Sequence, residues 1–317
     1  MMRLMITSMG STASQNLVRH LRRSEDDWFV VGVDAAEHHG GLGLADVDRQ
    51  VPRGDDPDYV AAVGELAEEY EIDLVIPVLG PELEAASGAV SELEASGATV
   101  LVSPAEAIEV CGSKRQMARR FEALGVDTPK LLDPESVTEF PVFVRPEFGD
   151  GSKGARRVPN RMFLDYYLEQ DPQLVVTEFV DGREFSIDGF VDERGRLIHA
   201  VCRERKDVRG GLSVRTEVVD LGARRETVAR IVSDIGVWGF FNLQFRKTAS
   251  GRETYFDLNP RLGGAMTASF EAGLEPDRLL HGLFEPQRLE GAFETRVGLE
   301  LFRRWENLYI EPPEGGP

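Results

Sequence analysis

The sequence predicts a chain in two styles: an α/β domain with a doubly wound parallel sheet, then α+β structure in two subdomains. Three observations predict it. Short apolar runs of strand length alternate with helical patterns through the first hundred residues, the order that a parallel sheet with crossover helices requires. An amphipathic helix then leads into strand, glycine-rich loop and strand, followed by a run of β-type segments. Near the end stands a hairpin whose two strands alternate apolar and polar residues.

In chain order, the first strands are residues 3–7 (RLMIT), 29–33 (FVVGV), 72–78 (IDLVIPV) and 99–102 (TVLV). Helical patterns at 14–23, 57–70 and 82–96 lie between them, and the domain closes near residue 110. The turn after the first strand reads Met9-Gly10-Ser11-Thr12-Ala13-Ser14, and Asp34 ends the second strand. An acid there suits a dinucleotide ribose, but one glycine stands where that fingerprint needs three. A structural turn with Ser11 or Ser14 near a helix start is the favoured reading, and a nicotinamide-dependent oxidoreductase the rival. His38 and His39 read as solvated loop residues.

Residues 113–124 form an amphipathic helix stopped by Gly125 and Pro129. A strand ending at Arg145, the glycine-rich loop and a second strand follow, then a helix at 161–169 and β-type segments up to 219. Helix 222–235 precedes the hairpin, 239–246 and 253–259, with Ser250-Gly251 in its turn. The expected division is 1–110, 111–180 and 181–310, with 311–317 (PPEGGP preceded by Glu311) a disordered tail by composition.

Composition narrows the function. A net charge of −19 argues against a general nucleic-acid binder, which needs a basic face. No apolar run approaches the ~18 to 20 residues that span a bilayer, and the start lacks the features of a signal peptide, so a cytoplasmic protein without membrane partners is expected. Cys111 and Cys202 are too few for a disulfide framework or a zinc site. Five lysines against 31 arginines fit either adaptation to high salt or a GC-rich genome.

The hairpin carries the most chemistry. In GFFNLQFR, Asn242, Gln244 and Arg246 alternate with Phe241, Leu243 and Phe245; in YFDLNPR, Tyr255, Asp257 and Asn259 alternate with Phe256 and Leu258. Side chains on a strand alternate between faces, and pairing about the turn puts Gln244 roughly opposite Asp257. Gln244, Asp257 and Asn259 then gather oxygen donors suited to Mg²⁺, which completes its octahedron with phosphate and water. The plain alternative is a solvated sheet face.

Other segments add to this. The loop Gly149-Asp150-Gly151-Ser152-Lys153-Gly154 lets backbone amides approach phosphate, with Lys153 adding charge; it lacks Walker spacing. Arg145 ends an apolar strand, where a cation needs an anionic partner. The stretch TEFVDGREF (177–185) is extended and apolar between Glu178 and Glu184. In RERKDVRGGLSVR, Arg203, Arg205 or Arg215 suits phosphate or an anionic substrate, unless Glu204 and Asp207 merely balance a solvated hairpin.

Together these residues resemble the ATP-grasp superfamily, in particular carbamoyl-phosphate-synthase-like carboxylate-amine ligases. The resemblance covers nearly the whole chain and implies a Rossmann-like pre-ATP-grasp domain, then two α+β subdomains gripping ATP. By that resemblance Lys114 and Arg145 contact the ATP phosphates, Gly151, Ser152, Lys153 and Gly154 form the phosphate loop, and Glu178, Phe179 and Val180 receive adenine. Glu184 takes the ribose, Gln244, Asp257 and Asn259 ligate Mg²⁺ or Mn²⁺, and Arg261 steadies an acyl phosphate. Arg203 and Arg215 complete the expected catalytic set. Asp257 stands where the family usually has Glu. The implied activity joins a small carboxylate to an amine with ATP, and the resemblance also implies a homodimer; a nucleotide-binding protein without turnover, and phosphorylation of a small acid without amide formation, are the alternatives.

Overall fold

A computed structural model of the chain describes residues 1–149, 153–304 and 306–309. The glycine-loop residues Gly151 and Ser152 and the tail 311–317 lie outside the described residues.

The first sheet joins β1 (Met2–Ile6), β2 (Trp28–Asp34), β3 (Val47–Gln50), β4 (Leu74–Ile76) and β5 (Thr99–Val100) in the order β3-β2-β1-β4-β5. Every pairing is parallel, the doubly wound arrangement expected. Its crossovers hold α1 (Thr12–Leu21), α2 (Tyr59–Glu69), α3 (Gly80–Gly88) and α4 (Val90–Glu94). The pattern at 82–96 thus gives two short helices, broken at Ala89, which leaves helical geometry. Ser11 caps α1 by accepting from the Ser14 amide at 3.2 Å. Asp34 accepts from Gly10 N at 2.7 Å and from Ala36 N at 2.9 Å, so its carboxylate is spent on fixing backbone turns.

Helices α5 (Ala105–Gly112) and α6 (Lys114–Ala123) lead out of this domain. Next, β6 (Val142–Arg145), β7 (Arg156–Val158) and, after α7 (Arg161–Gln170), β8 (Val175–Glu178) make a small antiparallel sheet, β7-β6-β8. Its core is Val142, Val144, Val158, Leu164, Leu174 and Val176.

The third sheet comprises β9 (Arg183–Val191), β10 (Leu197–Arg209), β11 (Leu212–Val219), β12 (Gly239–Lys247), β13 (Glu253–Asn259) and β14 (Glu300–Phe302), with α8 (Arg224–Ile235) ahead of β12. Short helical turns α9 (Thr267–Ser269) and α10 (Pro276–His281) follow β13. The order is β13-β12-β9-β10-β11-β14, and all pairings are antiparallel. Period-two alternation gives each strand two faces. One face carries Phe185, Ile187, Cys202, Leu243, Phe245 and Leu258, packed with α6 and α8 through Met117, Phe121, Val228 and Ile231. The opposite face is apolar at one end, where Phe190, Val201, Val218 and Phe240 join Leu4, Ile6, Leu17 and Leu101 of the first domain in one cluster. At its other end that face carries Ser186, Asp188, Arg203, Arg205, Asn242 and Gln244. Gly189 has no room for a side chain, since a Cβ there would stand 2.6 Å from the Phe241 ring and 2.8 Å from His199 O.

No helix among the described residues is long and apolar enough to cross a membrane.

Candidate active site

A cleft opens between the small sheet and the polar end of the large one. Lys114 from the start of α6, Arg145 from β6, Lys153, Glu178, Phe179 and Val180 line one side; Glu184, Arg203, Arg205, Gln244, Asp257, Asn259 and Arg261 line the other. Most of the residues singled out in the sequence therefore meet in one space.

The hairpin register brings the oxygen donors together. Gln244 pairs with Asp257 and Asn242 with Asn259, and then the register shifts so that Phe245 faces Tyr255. Phe256 is the extra residue of a β-bulge, which reverses alternation beyond it. Simple alternation puts Tyr255 beside Asp257; instead Tyr255 packs into the core on Phe245, ring centroids 5.1 Å apart, and Phe256 turns into the cleft. Arg145 Nη2 donates to the Phe256 carbonyl at 3.1 Å, tying the small sheet to the bulge.

Asp257 is the pivot of the site. Its Oδ2 accepts from Asn259 Nδ2 at 2.8 Å. Its buried Oδ1 lies 3.0 Å from Lys114 Nζ in an ion pair and has no other polar partner among the described residues. Burial pushes the Asp257 carboxyl upward, but the charges of Lys114 and Arg145 and the bonds from Asn259 and Lys114 outweigh it and hold it below the usual carboxylate range. Gln244 donates to Asn242 Oδ1 at 2.9 Å and accepts from Arg205 Nη1 at 3.2 Å. Arg261 donates to the Leu262 carbonyl at 3.0 Å and approaches Asn259 Oδ1 at 3.4 Å.

Positive charge exceeds negative charge here. Burial lowers the Arg145 pKa even though Asp257 and Glu147 oppose the shift. Burial does the same to Arg205, against Glu184 and with Arg203 adding to the lowering. Guanidinium stays charged in proteins, so both remain cations despite their burial. The acids nearby are already engaged. Glu184 already serves Arg205 and, at 3.1 Å, Arg246. Glu178 accepts from Lys130 N at 3.2 Å and pairs with Arg252 at 2.8 Å. Beside it the Phe179 ring lies under Arg157, and the Val180 carbonyl accepts from Arg246 at 3.3 Å.

Two of the expected catalytic arginines part company. Arg203 lies in the cleft wall, 3% exposed, with Nε 2.6 Å from Asp188 Oδ2. Arg215 is not among the cleft-lining residues. Its neighbour Thr216 faces Leu301 on the Arg203 side, so Arg215 alternates to the other face, where it pairs with Glu300 at 3.0 Å and covers Phe302. The register shifts in β10 between Arg205 and Val208 cancel, so the pairing of Arg203 with Val218 continues that of Arg209 with Leu212. Asp188 and Ser269 were not singled out from the sequence, although the alternation in REFSIDGF sets Ser186 and Asp188 apart from Phe185 and Ile187.

Among the described residues no three His, Cys, Asp or Glu side chains gather as a ready metal cage. One carboxylate and two amides instead suit a hard cation that arrives on phosphate and keeps part of its water.

Comparisons with known proteins agree with this arrangement. Residues 4–101 match the family described as PylC-like, N-terminal domain, and residues 170–293 match ATP-grasp in the biosynthetic pathway with Ter operon. The carbamoyl phosphate synthase large chain of Thermoplasma acidophilum is 26% identical over 236 residues, which are 65% of this chain and 22% of that one. A carbamoyl-phosphate synthase of Methanobrevibacter smithii is 23% identical over 243 residues, 70% of this chain and 65% of that one. The chain thus spans about a fifth of the length of the large chains it matches. Among solved structures, the ADP complex of purK, an N5-carboxyaminoimidazole ribonucleotide synthetase, superposes with TM-score 0.72 at 15% identity, over 94% of this chain and 80% of that one. Biotin carboxylase from Campylobacter jejuni gives TM-score 0.70 at 14% identity, over 92% of this chain and 73% of that one. These likenesses carry the fold. The two family matches cover separate parts of the chain, a PylC-like stretch followed by an ATP-grasp stretch, each less than half of its length.

Proposed function

We propose that the protein is an ATP- and Mg²⁺-dependent ligase that activates a small carboxylate as an acyl phosphate and passes it to an amine, releasing ADP and phosphate. The observation that carries this reading is the meeting in one cleft of the cations Lys114, Arg145, Lys153 and Arg205 with the oxygen donors Gln244, Asp257 and Asn259. A magnesium-bound polyphosphate suits both sets.

In this reading the nucleotide base lies along Glu178, Phe179 and Val180, with the ribose toward Glu184. Lys114, Arg145, Lys153 and Arg205 take the phosphates, and Gln244, Asp257 and Asn259 hold Mg²⁺ with them. Bound there, Mg²⁺ neutralises charge on the transferring phosphoryl group. A carboxylate oxygen attacks the γ-phosphorus and the bond to the β–γ bridging oxygen breaks, so ADP leaves. The amine lone pair then attacks the acyl carbon, the carbon–oxygen bond breaks, phosphate departs and the amine gives up a proton. Arg261, next to Asn259, neutralises the acyl phosphate. Positioning and charge neutralisation are the protein's contributions; no side-chain nucleophile is needed.

A coupled ADP-release assay across amino acids and small carboxylic acids tests the reading. Acid- and amine-dependent ADP release with an amide product supports it. Release with the acid alone indicates acid phosphorylation without amide formation. MgADP binding without any turnover indicates a nucleotide-binding protein, which the short Asp257 already engaged by Lys114 favours. Absence of MgADP binding overturns all three.

A further inference from the structure

Across the large sheet from Asp257 lies a second group of cations. Three strand spacings separate β13 from β10, about 14 Å at ~4.8 Å each. Arg203 on β10 holds Asp188 with Nε at 2.6 Å and Nη2 at 3.3 Å, while its Nη1 is buried and has no hydrogen-bond partner among the described residues. Asp188 has nothing more to offer, because its oxygens also accept from Asn242 at 2.5 Å and Ser269 at 2.6 Å. A carboxylate has about four acceptor positions, and all are taken.

Alternation brings another guanidinium to the same face. Arg203 faces Val218 of β11, and Thr216 of β11 faces Leu301 of β14. Residues 301 and 303 therefore share the side of Arg203. Arg303 donates Nη2 to the Gly264 carbonyl at 2.6 Å, and its Nε is likewise buried and has no partner among the described residues. Gly264 and Arg203 both line the cleft. Burial first, and then the charge of Arg203, lower the Arg303 pKa. Two guanidiniums thus stand on one face, Arg203 buried on the saturated Asp188 and Arg303 half-buried, and each keeps a buried donor with no acceptor among the described residues.

We propose that Arg203 and Arg303 form an anion subsite that holds a non-reacting carboxylate of the substrate. Its distance from the Asp257 corner separates it from the group being phosphorylated. Resting on the proposed ligase reading, this makes the acid or the amine a compound with a second carboxylate, of the amino-acid or dicarboxylic-acid class.

The test titrates glycine, alanine, glutamate and succinate, each against its amide, into the full chain, with and without MgADP, and follows thermal unfolding. At least one acid is expected to bind saturably and its amide at least tenfold more weakly. Arg303→Gln is expected to weaken that acid at least tenfold while MgADP binds as in wild type. Arg303→Lys, which keeps the charge but loses the planar fork, is expected to fall between the two and guards against a misfolded Gln variant. Equal binding of acid and amide, no acid binding to wild type, or unchanged affinity in both variants would overturn the subsite. Failure of MgADP to bind wild type refutes the nucleotide reading separately, and the titration without nucleotide still decides the subsite.

Discussion

Replacing Asp257 by Asn tests the site at its pivot. The substitution keeps shape and the contact with Asn259, removes one negative charge, and leaves Lys114 without its partner 3.0 Å away. Both side chains are largely buried, 11% and 17% exposed. Stranding one member of a buried pair costs about 3–5 kcal/mol. At ~2.1 cal/mol/K per residue, the 317-residue chain has an unfolding entropy near ~0.67 kcal/mol/K, so a loss of ~3 kcal/mol lowers Tm by roughly 4–5 °C if the chain melts as one unit. The folded protein survives, since domains of this kind have ~5–15 kcal/mol in hand. The second half of the prediction concerns ligand. Saturating MgADP at about 100 times Kd adds ~2.7 kcal/mol to wild type, or roughly 4 °C, and is expected to raise D257N by less than 1 °C, about a quarter of that. Scanning calorimetry with ADP, MgADP and EDTA measures both. Acid stability follows from the same group. Its folded pKa is depressed, so its contribution is complete above the unfolded value of about 3.9 and disappears as pH falls through the folded one. D257N therefore has a weaker stability loss below about pH 4. A variant that melts like wild type and responds to MgADP like wild type would refute both the pair and the metal assignment.

Three further substitutions probe the ribose end of the cleft, the outer face of β11 and the packing of the large sheet. Glu184→Gln is expected to erase any preference for ATP over 2′-deoxy-ATP, a loss of roughly 10- to 100-fold if the carboxylate bonds to a ribose hydroxyl; parallel KM values for the two nucleotides check it. Arg215→Ala is expected to leave kcat and KM within about threefold of wild type, since its partner is Glu300 outside the cleft; a hundredfold loss of kcat would return it to the catalytic set. Gly189→Ala forces a Cβ to within 2.6 Å of the Phe241 ring and is expected to cost about 1–3 kcal/mol, read as a lower urea midpoint at unchanged slope.

What could be read from the sequence depended on how locally each feature is encoded. The parallel sheet was legible because its strands are buried on both faces and appear as apolar runs such as FVVGV, whereas β3, with sequence VDRQ and half exposed, has no such signal. The opposition of Gln244 and Asp257 depends on the bulge at Phe256, because the register at the turn, Lys247 with Glu253, would otherwise set Gln244 opposite Phe256. One bulged residue then sufficed to move Tyr255 to the core and Phe256 to the cleft. The two register shifts in β10 cancel, so the pairing beyond them is that of a simple hairpin and sets Arg215 on the face away from Arg203. The network of Asp188 with Arg203, Asn242 and Ser269 joins residues 15, 54 and 81 positions apart, and no periodicity spans such distances.

The cleft also explains how so many ligand-directed cations persist in a chain without ligand. Three of them have a temporary counterpart of the opposite sign: Lys114 has Asp257, and Arg205 and Arg246 share Glu184. Those acids are the groups expected to turn to Mg²⁺ and ribose when nucleotide enters. Binding therefore exchanges partners instead of creating them, and its net free energy is a difference between two sets of ion pairs. An Ala scan of such a cleft mixes lost ligand contacts with lost internal pairs, because removing either member strands the other. Isosteric changes at the acids, read with and without nucleotide, separate the two contributions, since only the internal pair contributes to stability before ligand is added.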